Sequence, residues 1–127
     1  MHKWMIVSGA LFALTAVILG AFAAHGLKNQ LNEYALGIFQ TAAQYQMFHG
    51  IALILCGLYT LQLQQSQGQE LWLNIAAICF VVGVVFFSGS LYGLALGDLK
   101  WLGPITPIGG LLLILGWASF ALAAIKN

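Results

Sequence analysis

The residues that could do chemistry are few and unevenly placed. Between Phe39 and Gly50 the chain reads FQTAAQYQMFHG, which puts Gln40, Thr41, Gln44, Tyr45, Gln46 and His49 directly before the apolar run Ile51 to Leu61. A second histidine, His25, stands in the segment AAHG, and Ser88, Ser90 and Tyr92 share the segment FFSGSLYG. Histidine changes charge near neutral pH, which makes His49 a candidate proton relay; two histidines could also ligate a haem iron. Glutamine offers donors and acceptors at once, so Gln40, Gln44 and Gln46 suit either ligand recognition or hydrogen bonding between helices.

Spacing removes some of this chemistry. Two histidines on one iron must reach it at the same depth, whereas His25 and His49 are separated by roughly 15 Å along the bilayer normal when counted along spanning helices. No H-x-x-x-H, E-x-x-H or C-x-x-C spacing occurs in the chain, and these are the spacings that place metal ligands on one face. No metal, no cofactor and no catalytic residue is therefore expected, and the chain is not read as an enzyme. Glu33, Glu70 and Asp98 fall in or beside connections, which weakens a proton-coupled exchanger built on an intramembrane carboxylate.

The elements that must position these residues follow from composition. With 61% hydrophobic and 6% charged residues among 127, the chain cannot be a water-soluble domain, where about a quarter of residues are charged. Four apolar stretches are long enough for a hydrocarbon core of about 30 Å: Trp4 to Ala24, Ile38 to Leu63, Leu71 to Leu96 and Thr106 to Ile125. The connections are Leu27 to Asn32, Gln64 to Glu70 and Gly97 to Ile105. The expected fold is an all-α integral membrane protein, a compact antiparallel bundle of four transmembrane helices forming one domain over residues 1–127. His2, Lys3 and the A-x-A pattern at Ala21-Phe22-Ala23 resemble a cleaved signal, but the apolar run is too long for one, and the first stretch is read as a retained helix. Cys56 and Cys79 lie inside spans and are read as packing thiols.

Orientation is balanced. Lys3 and Lys126 fall on one side, A, and Lys28 and Lys100 on the other, B, so the positive-inside count is tied. Trp4 and Trp72 mark interface A and Trp101 interface B, while Trp117 is too deep for an aromatic belt and is assigned to the core. Small residues recur at helix-contact spacing: Gly9, Ala13, Ala16, Gly20 and Ala24 in the first span, Ala43, Gly50 and Gly57 in the second, Gly89, Gly93 and Gly97 in the third. The last stripe is expected to pack against Gly20 on the first helix or Gly50 on the second, with a subunit contact as the alternative. Thr106 is read as the cap of the fourth helix with Pro107 at its first position.

Depth brings the polar residues together. Counted from Ile38, Gln40 to His49 occupy the side-B half, as do Ser88 to Gly93 and the start of the fourth span. Gln46 is read as pointing further round. The candidate polar cavity is lined by Gln40, Gln44, Tyr45, His49, Ser88, Ser90 and Tyr92.

Four motifs carry a family resemblance: AHGL from Ala24, QTAAQYQMFH from Gln40, FSGSLY from Phe87 and LGPITPIGG from Leu102. In order and across essentially the whole chain they resemble the YgdD-like family, a domain-of-unknown-function group of small bacterial inner-membrane proteins that is similar to the vertebrate transmembrane protein 256 group. The resemblance implies a four-helix protein of the bacterial inner membrane and supplies no activity. The expected role is a non-catalytic membrane component that binds a lipid, a small molecule or a partner at the polar cluster, with membrane lipids and a homo-oligomer or membrane-protein partner as its company and no nucleic acid. The alternative is a small transporter or channel with His49 as its proton-responsive group.

Overall fold

The computed structural model describes residues 2–62 and 67–126. Four helices carry them: α1 (Lys3–His25), α2 (Glu33–Gln62), α3 (Gln67–Gly97) and α4 (Ile105–Ile125), with a short 3-10 turn at Lys100–Leu102 before α4. The protein is an all-α membrane bundle, and the described residues contain no strand. α1, α3 and the segment Lys100–Ile125 are long and apolar enough to cross a bilayer. α2 has the length but concentrates the polar side chains, of which the bundle buries Gln46 and His49.

The helix ends have local causes. α2 begins at Glu33 rather than near Ile38 because the Asn32 Oδ1 accepts the Ala35 N–H at 2.7 Å, satisfying one of the donors that a helix start leaves free. Gln67 to Glu70, expected in a connection, form the first turn of α3; positions 63–66 of that connection lie outside the described residues. Asp98 closes α3 with φ 51, a left-handed conformation that aspartate tolerates better than most side chains. α4 starts one residue before Thr106, with Pro104 at its cap and no side-chain cap bond. The expected Thr106 cap is therefore corrected: its hydroxyl is engaged across the bundle by Ser90.

Each helix packs on its neighbour in sequence, so α2 and α3 form the centre and α1 and α4 flank them. Near side A the core is built from Met5, Leu53, Cys56, Leu73, Phe80 and Leu113 among others. A smaller core near side B gathers Ala23, Leu27, Phe39 and Ala95, which folds the α1–α2 connection onto the bundle. The antiparallel order is visible at side A, where His2 Nε2 and Glu70 Oε1 lie 3.0 Å apart. Outward faces are apolar, with Val7, Leu11, Leu14 and Ile18 on α1 and Leu111 and Ile114 on α4 all exposed. Cys56 is buried and both thiols are free.

Backbones meet at glycines, though not all at those expected. A Cβ on Gly50 would lie 2.8 Å from the Gly9 carbonyl oxygen and 3.2 Å from the Ala13 nitrogen, so α1 and α2 touch there with no room for a side chain. A Cβ on Gly109 would sit 2.7 Å from the Phe87 Cα, which makes the same contact between α3 and α4. The stripe Gly89, Gly93 and Gly97 does not pack on α1 or α2. Gly93 and Gly97 face Leu102 and Leu99 of the following turn, and a Cβ at Gly89 or Gly20 would meet nothing within 4 Å. Four-residue spacing marks a face of a helix but does not name the surface that the face meets.

Candidate functional site

The buried face of α2 runs Phe39, Ala42, Gln46, His49, Leu53, Cys56, a repeat of three and four residues that keeps one stripe against its neighbours. Gln46 sits roughly 20 Å along α2 from its start at Glu33, near the middle of the helix. Gln46 is level with Phe12 and Thr15 near the midpoint of α1, and Gln40, Gln44 and Tyr45 lie on its side-B side, as do Ser88, Ser90 and Tyr92 in the second half of α3.

Gln46 is the hub. Its Nε2 donates to the Phe12 carbonyl oxygen at 2.9 Å and to Thr15 Oγ1 at 2.5 Å, both on α1. Its Oε1 accepts the Tyr92 hydroxyl of α3 at 2.7 Å. One amide thus ties three helices together with its donors and acceptor used. Sequence reasoning left Gln46 outside the site, although its place in the Phe39-to-Cys56 repeat was the available signal.

His49 is bound just as fully. Trp117 Nε1 of α4 lies 3.0 Å from His49 Nε2, and His49 Nδ1 lies 2.7 Å from the Tyr45 carbonyl oxygen. An indole nitrogen can only donate and a carbonyl can only accept, so Nε2 is the acceptor and Nδ1 carries the proton. The ring is the neutral Nδ1–H tautomer, with Phe80 and Trp117 packed at 5.5 and 5.8 Å between ring centroids. Trp117, assigned to the core, keeps a half-exposed ring and turns its N–H inward.

Ser88 donates to the Ala42 carbonyl at 2.8 Å, joining α3 to α2. Ser90 turns the other way, donating to Phe87 and meeting Thr106 Oγ1 at 2.5 Å on α4. Ser88, Ser90 and Tyr92 therefore point to different neighbours and do not line one cavity.

Gln40 and Gln44 behave differently: both are exposed, and neither has a hydrogen-bond partner among the described residues. With Ala16, Gly20, Ala43 and Met47 they line an open groove of about 420 Å³ between α1 and α2. Tyr45 and His49 lie instead beside a second recess of about 290 Å³, walled by Phe87, Gly110, Leu113 and Trp117. The seven expected residues are thus split between a groove, a recess and the interhelical bonds, so the single cavity expected does not form.

The model of a protein family described only as of unknown function, DUF423, matches residues 19–110. The chain belongs to the DUF423 family. The match runs from late α1 to early α4 and covers both glutamine faces of α2. The chain is 43% identical over 124 residues to a UPF0382 membrane protein of Staphylococcus aureus, covering 98% of this chain and 97% of that one. It is 44% identical to a UPF0382 membrane protein of Staphylococcus epidermidis, with the same shares covered, and 42% identical to one of Staphylococcus saprophyticus, covering 98% of each chain. No solved structure matches. A DUF423 family of small bacterial membrane proteins agrees with the resemblance carried by the four motifs, and the chain is a multi-pass membrane protein.

Proposed function

We propose that the protein is a non-catalytic component of the bacterial plasma membrane that binds a membrane-embedded ligand or partner in the α1–α2 groove. The observation that carries this reading is the pair Gln40 and Gln44, whose amides have no partner among the described residues yet face outward from a helix inside the bilayer. Unsatisfied amides in hydrocarbon are costly, and the remedy for groups that the bundle leaves open is an occupant that hydrogen-bonds them. Gln46, His49, Ser88 and Ser90 are engaged with other side chains or with backbone, which leaves them little capacity for turnover. Transport through His49 is disfavoured on the same ground. Protonating Nε2 would set an N–H against the Trp117 N–H, so a relay would have to break the contact between α2 and α4.

Native mass spectrometry of the gently extracted protein tests the reading. The parent is expected to carry a bound species, whether lipid, small molecule or polypeptide. Gly20→Phe, which projects into the groove from a position where a Cβ meets no atom within 4 Å, is expected to lose it while melting near the parent temperature. A parent that flies bare and alone would overturn the proposal. Reconstituted vesicles showing an ion flux that His49→Ala abolishes would restore the transport reading.

A further inference from the structure

Resting on the groove as a binding surface, we infer that its occupant is a second copy of this chain, paired about a two-fold axis along the bilayer normal. The depth of Gln44 argues against a lipid head group. Gln46 bonds Phe12 and Thr15, which flank Leu14, the midpoint of α1, so Gln44, two residues away along α2, lies within about 5 Å of the level of that midpoint. Ester and phosphate groups lie at the edges of the core, about 15 Å from its centre, and acyl chains hydrogen-bond nothing.

A second copy supplies what is missing by symmetry. For two copies inserted in the same direction, residues of equal depth meet across an isologous contact, and residues on the two-fold axis meet their own copies; with the axis along the Gln40–Gln44 face of α2, Gln44 faces Gln44 of the other chain and Gln40 faces Gln40. A primary amide is self-complementary, since each donates an N–H to the other's oxygen. Two such pairs give each amide one donated and one accepted bond. The floor of Ala16, Gly20 and Ala43 admits close approach, and the long side chain of Met47 adapts to fill the remaining space. A foreign helix would need donors and acceptors at both of these depths, a demand that the chain itself already meets.

Photo-crosslinking in the native membrane identifies the occupant. With benzoylphenylalanine replacing Met47, which lines the groove and leaves both amides in place, the adduct is expected to have twice the chain's mass; the same residue replacing Ile114, on the outward face of α4, is expected to give none. In native mass spectrometry the double variant Gln40→Leu/Gln44→Leu is expected to shift the monomer–dimer equilibrium toward monomer by about tenfold or more. Its melting as a monomer is expected to be unchanged, because neither amide has a partner among the described residues. A lipid, small-molecule or foreign-protein adduct at position 47 would overturn the second copy and leave the groove reading standing. An uncrosslinked, bare monomer would end both, as would a dimer that keeps its affinity in the double variant.

Discussion

Gln44 and Gln46 stand two residues apart on one helix and lie in opposite states. Gln46 is buried and binds Phe12, Thr15 and Tyr92, whereas Gln44 is exposed beside an open groove. Two residues turn a helix by about 200°, so one amide faces the bundle and the other the groove. Two glycine positions along the α1–α2 contact repeat the contrast. At Gly50 the backbones of α1 and α2 touch; at Gly20 a Cβ would meet nothing within 4 Å. Beyond Gly20, Ala23 and Leu27 pack with Phe39 again, so the groove in which Gln40 and Gln44 stand is a local recess in the α1–α2 contact. In a bilayer a polar side chain is evidence of a partner, and the packing decides whether the partner lies in the same chain.

Paired substitutions can break this contrast, beginning with the glycines. Gly50→Leu forces α1 from α2 and is expected to cost about 3 kcal/mol, while Gly20→Leu is expected to stay within about 0.5 kcal/mol of the parent, both read from thermal unfolding in mild detergent. Equal losses would mean that Gly20 is packed as closely as Gly50. Gln46→Leu removes bonds to two helices and leaves the Tyr92 hydroxyl unpaired, for an expected loss of about 2 kcal/mol; monomeric Gln44→Leu should show almost none. A reversed order would place the wrong glutamine inside.

Smaller effects sharpen the description of the inner face. Trp117→Phe keeps an aromatic ring beside Phe80 but removes the donor to His49, with an expected cost of about 1 kcal/mol. It should also shift the His49 Nε2 resonance in nitrogen NMR, while a parent spectrum of the other tautomer would contradict the Trp117 bond. Ser88→Ala, losing one bond to the Ala42 carbonyl, is expected to cost about 0.6 kcal/mol, the average for such bonds in membrane bundles. A loss several times larger would show that Ser88 holds more than α2.

Much of the architecture was legible in the residues. The repeat Ala43, Gly50, Gly57 meets α1 as its spacing suggests, with Gly50 against Gly9 and Gly57 against Ile6. The early start of α2 was hidden by the polar residues before Ile38, although Asn32 is a recognisable cap. Gly93 misled because its neighbours, Leu99 and Leu102, come from the turn that follows its own helix. The polar cluster misled for a related reason: shared depth brings residues to one level, and their rotation about each helix then separates them.

The sequence by itself determined the class, the helix count and the membrane setting, because a bilayer demands about 20 apolar residues per crossing and backbones that satisfy themselves. It could not determine which way each helix is turned. In water the apolar face of a helix points inward and reveals its rotation, but lipid and protein interior are alike apolar, so periodicity says little about which side faces which. Only tertiary structure decided that Gln46 is bonded inside while Gln40 and Gln44 look out. It did so through shape, by the close approach of α1 and α2 at Gly9 and Gly50 and the local recess that Gly20 lines.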